Sequence, residues 1–402
     1  MRRQVVIVGG GPAGLTAARI LAEAGIPDVL VLERNPDAGG LPRFAGHLGW
    51  GMLDFHRIWT GPAYAQRLVV AALAAGATIR TGASVVGVRP GGGVEVATQA
   101  GVERIDAEIV LLATGIREAS RAARLVSGMR PWGTVSTGAF QEMVYAGGML
   151  PFRQPVVVGT ELVSFSALLT ARHAGIRPVA MIEAGPRITA RRPADLVAHL
   201  ALGVKVRTGT RLLAIEGRDR VEAVRVAHAG GEERIACDGV ILTGRFVPEA
   251  VLVRASHLEL DPGTGGPVID SAWRCSDPAF FAAGNMLRGV EHSGAVALEG
   301  REAARSVLNA LAGRLPAAGT ARPVEAGGAL RYVYPQRFLP DGEAPLRLFA
   351  RAARAHRGVL RVLADDRPIR EQRVDALPER RISLRLPADA VRDAAVLRVE
   401  LA

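Results

Sequence analysis

The sequence predicts an α/β protein. Two doubly wound parallel-sheet domains come first, one interrupted by the other, and a small all-β domain closes the chain. Three observations carry this expectation. A strand, glycine turn, helix and strand open the chain, and the same unit returns at a constant offset of 150 residues. The last ~80 residues switch to short alternating apolar runs separated by turn residues.

The first unit, residues 5–33, reads VVIVGGGPAGLTAARILAEAGIPDVLVLE. The second, residues 155–183, reads PVVVGTELVSFSALLTARHAGIRPVAMIE. Gly9 meets Gly159, Glu33 meets Glu183, and Ala24-Gly25-Ile26 meets Ala174-Gly175-Ile176. Each copy is long enough for a parallel strand–helix–strand crossover.

The two copies differ where chemistry happens. In the first, Gly9-Gly10-Gly11-Pro12-Ala13-Gly14 follows the strand and opens the helix. Gly9 permits the tight turn, Gly11 lets the backbone approach a pyrophosphate at the helix start, and Gly14 allows close packing. Glu33 lies 19 residues after Gly14, near the ~20 expected of a ribose-binding acid. The second copy has Glu161 and Ser164 at the later glycine positions. A carboxylate there repels a pyrophosphate, so this copy reads as a relic without tight nicotinamide-dinucleotide binding. Glu183, Arg187, Arg191 and Arg192 are the features that favour a retained site.

After the first unit come Gly39-Gly40, a helix around Gln66–Ala75, and strands near Thr78–Arg80, Val94–Thr98 and Val110–Ala113. The last of these runs into Ala113-Thr114-Gly115, small residues where backbone passes close to a ligand. The second unit leads to strands near Val204–Arg207, Arg220–Ala227 and Gly239–Leu242. Phe280 to Asn285 ends a further strand, and Ala295–Leu311 reads as a helix. The carboxyl-terminal strands fall at Ala329–Val333, Leu346–Phe349, Val359–Leu363, Ile382–Leu386 and Val396–Leu401. The expected domains are 1–118 with 245–312, then 150–244, then 320–402.

Composition excludes other classes. Of 402 residues, 50 are basic and 39 acidic, giving +11, and Lys205 is the only lysine. The arginines are scattered and aromatics make up only 4%, so nucleic acid is not an expected partner. No run reaches the ~18–20 apolar residues of a membrane span. The amino-terminal apolar run ends in the glycine motif rather than a cleavage site. Cys237 and Cys275 make no metal spacing and no disulfide framework. The chain therefore reads as cytoplasmic, with no metal.

These motifs together resemble the FAD-dependent pyridine nucleotide–disulfide oxidoreductase superfamily. The resemblance rests on GGGPAG at 9–14, Glu33-Arg34, Gly39-Gly40, ATG at 113–115, and AAGN at 282–285 followed by ALEGR at 297–301. It implies two Rossmann-like domains, FAD in the first and a degenerate NAD(P)-type second. By this likeness FAD is held by Gly9, Gly11, Pro12, Ala13, Gly14, Glu33, Arg34, Gly40, Leu41, Ala113, Thr114, Gly115, Gly284, Asn285, Glu291 and His292. Asn285 stands where most members carry Asp. The family's redox disulfide is absent. Arg130 to Gln141 looks more like the FAD-binding chains of multicomponent amine, opine and hydroxyproline dehydrogenases, hydrogen cyanide synthase, sarcosine-oxidase-type enzymes and glycerol-linked flavoproteins. That likeness implies a partner chain, either a second flavoprotein or an iron–sulfur protein.

The candidate chemistry is acid–base and electrostatic help to a flavin that does the redox step. Arg43 suits a substrate carboxylate or a flavin carbonyl. His47 suits proton transfer, or a structural hydrogen bond. Asp54, His56 and Arg57 follow closely. His292 suits tuning of the flavin from a helix start, or capping of that helix. The expected activity is an FAD-dependent dehydrogenase component acting on a small amine, amino-acid or hydroxy substrate. Two alternatives stand beside it: a stand-alone NAD(P)H-dependent flavin reductase, and a non-catalytic FAD-stabilised scaffold.

Overall fold

The computed structural model describes residues 2–190, 198, 200, 202–342 and 344–402. Strand β1 (Arg2–Val8) runs through the middle of the first sheet. Val5, Val6 and Ile7 are fully buried, because helices and sheet cover both faces. Helix α1 (Pro12–Glu23) has its proline in the first turn, where the missing N–H breaks no bond. It buries Leu15, Ala17, Ala18 and Leu21 and delivers the chain to β2 (Val29–Leu32), parallel to β1.

Helix α2 spans Gly61–Ala74 and starts five residues before the expected Gln66. Gly61-Pro62 looks like a breaker, yet proline belongs in a first turn. Glycine is required at 61 because a Cβ there would stand 2.2 Å from the Pro42 carbonyl oxygen. Strand β3 (Thr78–Arg80) pairs with β2, and β4 (Gly101–Leu112) pairs with β1 on its other side. Gly93–Thr98 and Ser84–Arg89 continue the sheet antiparallel beyond β4. Phe280–Ala282 also lies parallel to β4.

The second domain repeats this plan. Helix α3 (Thr137–Tyr145) leads to β5 (Pro155–Val158), helix α4 (Leu162–His173), β6 (Ala180–Ile182) and later β7 (Gly239–Leu242). Its parallel sheet also takes in Thr134–Ser136, upstream of the residue 150 expected as its start. Three residues are too few to show a period. Ser84–Arg89 and Arg211–Glu216 are strands that the sequence pattern does not announce. Both carry a register shift against their partners, which breaks the alternation that would reveal them. The ribbon of Ile116–Glu118 and Phe246–Pro248 joins the two domains.

Helix α5 (Ser293–Leu311) returns to the first domain and packs on α1. A Cβ at Gly300 would stand 2.2 Å from the Ala13 carbonyl oxygen, so the two helices meet almost backbone to backbone. The carboxyl-terminal domain is a five-stranded and a three-stranded sheet around Phe338, Leu348, Leu360, Val362, Leu397 and Val399. No helix among the described residues is long and apolar enough to cross a membrane. Arg191 and Arg192 lie outside the described residues.

Candidate active site

Strands β2 and β4 flank β1, so the chain's direction across the sheet reverses at β1. The carboxyl ends of β1 and β4 therefore open the crevice in which doubly wound folds bind ligands. Gly9 sits there with φ +112°, and a Cβ on it would lie 2.4 Å from the Ala113 carbonyl oxygen. A Cβ on Gly14 would lie 2.0 Å from the Gly9 carbonyl oxygen. Gly40, at φ +66°, brings its backbone against Gly11. Gly11 is the N-cap of α1 and supplies no side-chain cap, leaving the first N–H groups for an anion.

Glu33 is buried at the crevice edge. Its Oε2 accepts from Gly10 N at 2.9 Å, and its Oε1 accepts from Asn35 N and Nδ2 at 2.9 Å each. The carboxylate is thus fixed beside the glycine turn, with one lone pair of Oε2 left for a hydroxyl. Arg34 and Leu41 are exposed. Thr114 Oγ1 donates to the Glu249 carbonyl at 2.7 Å, tying the crevice to the interdomain ribbon. Arg43 folds back, its Nε 3.4 Å from the Gly40 carbonyl and a terminal nitrogen 3.5 Å from Asp37.

The loop from Gly284 to His292 forms the opposite lip. A Cβ on Gly284 would meet the Ala13 methyl at 2.9 Å. Asn285 Oδ1 accepts from Glu291 N at 2.7 Å, and its Nδ2 donates to the Glu291 carbonyl at 3.1 Å. The Glu291 carboxylate turns away, to Arg351 at 3.0 Å and Arg381 at 3.7 Å. His292 is the N-cap of α5, its Nδ1 accepting from Gly294 N at 3.3 Å. Burial lowers its pKa, against the pull of Asp54 and Glu291. The neutral ring is the one that can accept.

Beside His292 lies a cluster that the motifs did not reveal. Trp50 packs 6.4 Å from the His292 ring and 6.2 Å from the Tyr64 ring. The Tyr64 hydroxyl donates to Asp54 Oδ2 at 2.5 Å, and burial with the Asp54 charge pushes its pKa up. Trp50 Nε1, Asp54 Oδ1 and Ser293 Oγ are buried without a hydrogen-bond partner. Such orphans cost about 1–3 kcal/mol each unless a ligand satisfies them. The sequence signal was an aromatic run at 50, 55, 59 and 64 in an aromatic-poor chain.

His47 faces the second domain. Its Nδ1 donates to the Leu48 carbonyl at 2.9 Å, and its Nε2 lies 2.7 Å from Ser166 Oγ on α4. Ser166 also accepts from Gln141 Nε2 at 2.8 Å, so its hydroxyl proton is free to go to His47. His56 is exposed at φ +53°, and Arg57 is exposed.

In the second domain Glu161 is the N-cap of α4. Its Oε2 lies 3.0 Å from Ser164 Oγ and 2.9 Å from Thr243 Oγ1. A Cβ on Gly244 would meet Glu161 Oε1 at 2.2 Å, and one on Gly159 would meet Oε2 at 2.5 Å. The carboxylate thus rests on the turn that matches the first domain's anion seat. Glu183 is also engaged, accepting from Thr160 Oγ1 at 2.6 Å and Gly185 N at 2.9 Å. Arg187 pairs with Glu379 at 2.9 Å.

Residues 3–300 match the profile of the pyridine nucleotide-disulphide oxidoreductase family. The chain belongs to that family. It is an FAD-dependent oxidoreductase. An opine oxidase subunit of Rhizobium meliloti is 29% identical over 339 residues, 76% of this chain and 62% of that one. The chain thus spans less than two thirds of that relative. Thioredoxin reductase of T. acidophilum matches 77% of this chain and 99% of its own at TM-score 0.65 and 24% identity. L-proline dehydrogenase of P. horikoshii matches 78% and 56% at TM-score 0.59 and 20% identity. These two likenesses concern the fold.

The residues of the first crevice fit FAD. The glycine cradle has no room for a Cβ at Gly9 or Gly14, the α1 start is uncapped, and orphaned donors stand at Trp50 and Ser293.

Proposed function

We propose that this chain is the flavoprotein component of a dehydrogenase. It oxidises a small amine, amino-acid or hydroxy substrate and passes the electrons to a partner chain or carrier. The observation that carries this reading is the asymmetry of the two nucleotide seats. The first carries no side chain at Gly9, Gly11 or Gly14, while the Glu161 carboxylate rests on the matching turn of the second. NAD(P)H is therefore disfavoured as the reductant.

A dithiol is disfavoured too. Cys237 and Cys275 are both buried and free. Burial pushes the Cys237 thiol up to about 11, and the Cys275 thiol up as well. Neither supplies thiolate near neutral pH. The electrons then enter from a small substrate and leave to another protein. The opine oxidase relative is named as one subunit of an enzyme, which supports a partner chain; a second flavoprotein or an iron–sulfur protein is the kind we propose.

FAD supplies the hydride-accepting ring when bound. The chain's own residues position and polarise. Gly9 to Gly14 and Gly40 would hold the pyrophosphate, and Glu33 the ribose. Trp50 Nε1 and Ser293 Oγ, buried without a partner, would be free to donate to the bound group or substrate, and the α5 start would favour negative charge. Asp54, anchored by Tyr64, accepts from a substrate N–H or O–H.

Anaerobic titration of the purified yellow protein tests the reading. Secondary amines, amino acids and 2-hydroxy acids are screened for bleaching of the flavin band. Reduction by a member of this panel, with NADH and NADPH inert, is expected. Rapid bleaching by NADH or NADPH would instead favour a flavin reductase. A flavin that no metabolite or carrier reduces would favour a scaffold.

A further inference from the structure

We propose that Arg351, on a strand of the carboxyl-terminal β domain, is a positioning residue for the flavin. It acts through Glu291 and the Gly284–His292 loop. The proposal rests on the FAD assignment and extends it to a domain outside the family match at residues 3–300.

The loop has little regular structure to hold it. A short turn of 3₁₀ helix covers Gly284–Leu287, and Arg288 to Glu291 then bridge to the α5 N-cap at His292. Its carbonyls therefore need partners from elsewhere. Arg351 supplies them. One terminal nitrogen donates to the Gly289 carbonyl at 3.1 Å, and the other reaches Glu291 Oε1 at 3.0 Å. Both side chains are nearly buried, Arg351 at 11% and Glu291 at 13% exposed. A charge pair removed from water this far is strongly oriented by its partner.

The grip passes directly to the crevice. Glu291 offers its main-chain N–H and carbonyl to Asn285, so holding Glu291 holds Asn285. The next residue, His292, caps α5 and packs against Trp50. The rear of the loop is fixed as well. Arg288 is fully buried, donates to the Gly284 carbonyl at 2.7 Å and pairs with Glu299 at 2.5 Å. Its guanidinium lies 4.9 Å above Tyr334 of the β domain. Arg381 completes the contact, 3.4 Å from Glu299. The β domain is thus part of the flavin pocket's framework.

The test compares Arg351→Ala, Arg351→Lys and Glu291→Gln with Arg398→Ala, an exposed pair in the same domain. The readouts are FAD dissociation constant, flavin absorbance and midpoint potential. Arg351→Ala and Glu291→Gln are expected to weaken FAD binding about tenfold or more and to shift spectrum and potential. Arg351→Lys should restore part of the effect, and Arg398→Ala should match the wild type. Should Arg351→Ala fail to fold, Glu291→Gln carries the test, since Asn285 holds its backbone rather than its side chain. Wild-type affinity, spectrum and potential in a folded variant would overturn the proposal. A wild-type protein that takes up no FAD would overturn the cofactor assignment itself.

Discussion

Glu161 Oε2 lies 2.9 Å from Thr243 Oγ1, and so the second domain carries a carboxylate where its twin has Gly11 and no side chain. Arg124 closes the same corner, donating to the Thr243 and Gly244 carbonyls at 2.6 and 2.7 Å. A dinucleotide would have to displace a hydrogen-bonded anion and approach like charge. The wild type is therefore expected to show no saturable NADH or NADPH binding below ~1 mM, a binding free energy of about −4.1 kcal/mol. Glu161→Gly should create measurable binding by removing both bulk and charge. Calorimetric titration of both proteins checks this, and micromolar wild-type binding would defeat it.

Gly300 shows what a glycine at a helix crossing is worth. Its missing Cβ would fall 2.2 Å from the Ala13 backbone. Gly300→Ala should push α5 off α1, at about 1–3 kcal/mol, lowering Tm and FAD retention together. Gly319→Ala has no atom within 4 Å and should be neutral or slightly stabilising. Thermal melts with and without added FAD separate the two. Equal Tm values for both variants would show that the helices can part freely.

Much of this was legible in the sequence, for physical reasons that differ by residue. Gly9 and Gly14 announce themselves because close backbone approach demands glycine at fixed local spacing, and Glu33 because the acid that accepts from the Gly10 turn ends the next strand. The repeat at an offset of 150 revealed the second domain in the same way. Arg288 and Arg351 gave no such signal, and Glu299 stood in the ALEGR motif without showing its partner. Their meeting depends on how a distant β domain packs, and an arginine destined for burial looks like any of the chain's other arginines. Arg43 was legible as a charge near the crevice, but its backward fold onto Gly40 depends on rotamer and local contacts.

His292 predicts a pH dependence. Burial lowers its pKa below the ordinary value of about 6.5. A histidine depressed in the fold stabilises the folded state above its unfolded pKa and loses that contribution as the pH falls through the folded one. Protonation also removes the acceptor that caps α5 and puts a positive charge at a helix start. FAD retention and Tm should therefore decline from about pH 6.5 downward. His292→Asn keeps a capping oxygen and does not titrate, so that step should flatten. A wild-type step that persists unchanged in the asparagine variant would assign it to another group.

His47 and Ser166 define the last prediction, because one contact separates two roles. The 2.7 Å bond between them spans the two domains, with Gln141 holding the serine from behind. If His47 acts as a bridge, Ser166→Ala and His47→Ala should do the same thing. Both should raise hydrogen exchange in residues 46–50 and at the start of α4, leave FAD content unchanged, and lower turnover alike. If His47 instead moves a proton, His47→Ala should lower turnover by about 10²-fold or more and flatten the acid limb of the pH profile, while Ser166→Ala stays near wild type. The bridge is the expected outcome, since both ring nitrogens are already engaged, Nδ1 by Leu48 and Nε2 by Ser166. Turnover that falls only in the histidine variant would move His47 into the chemistry.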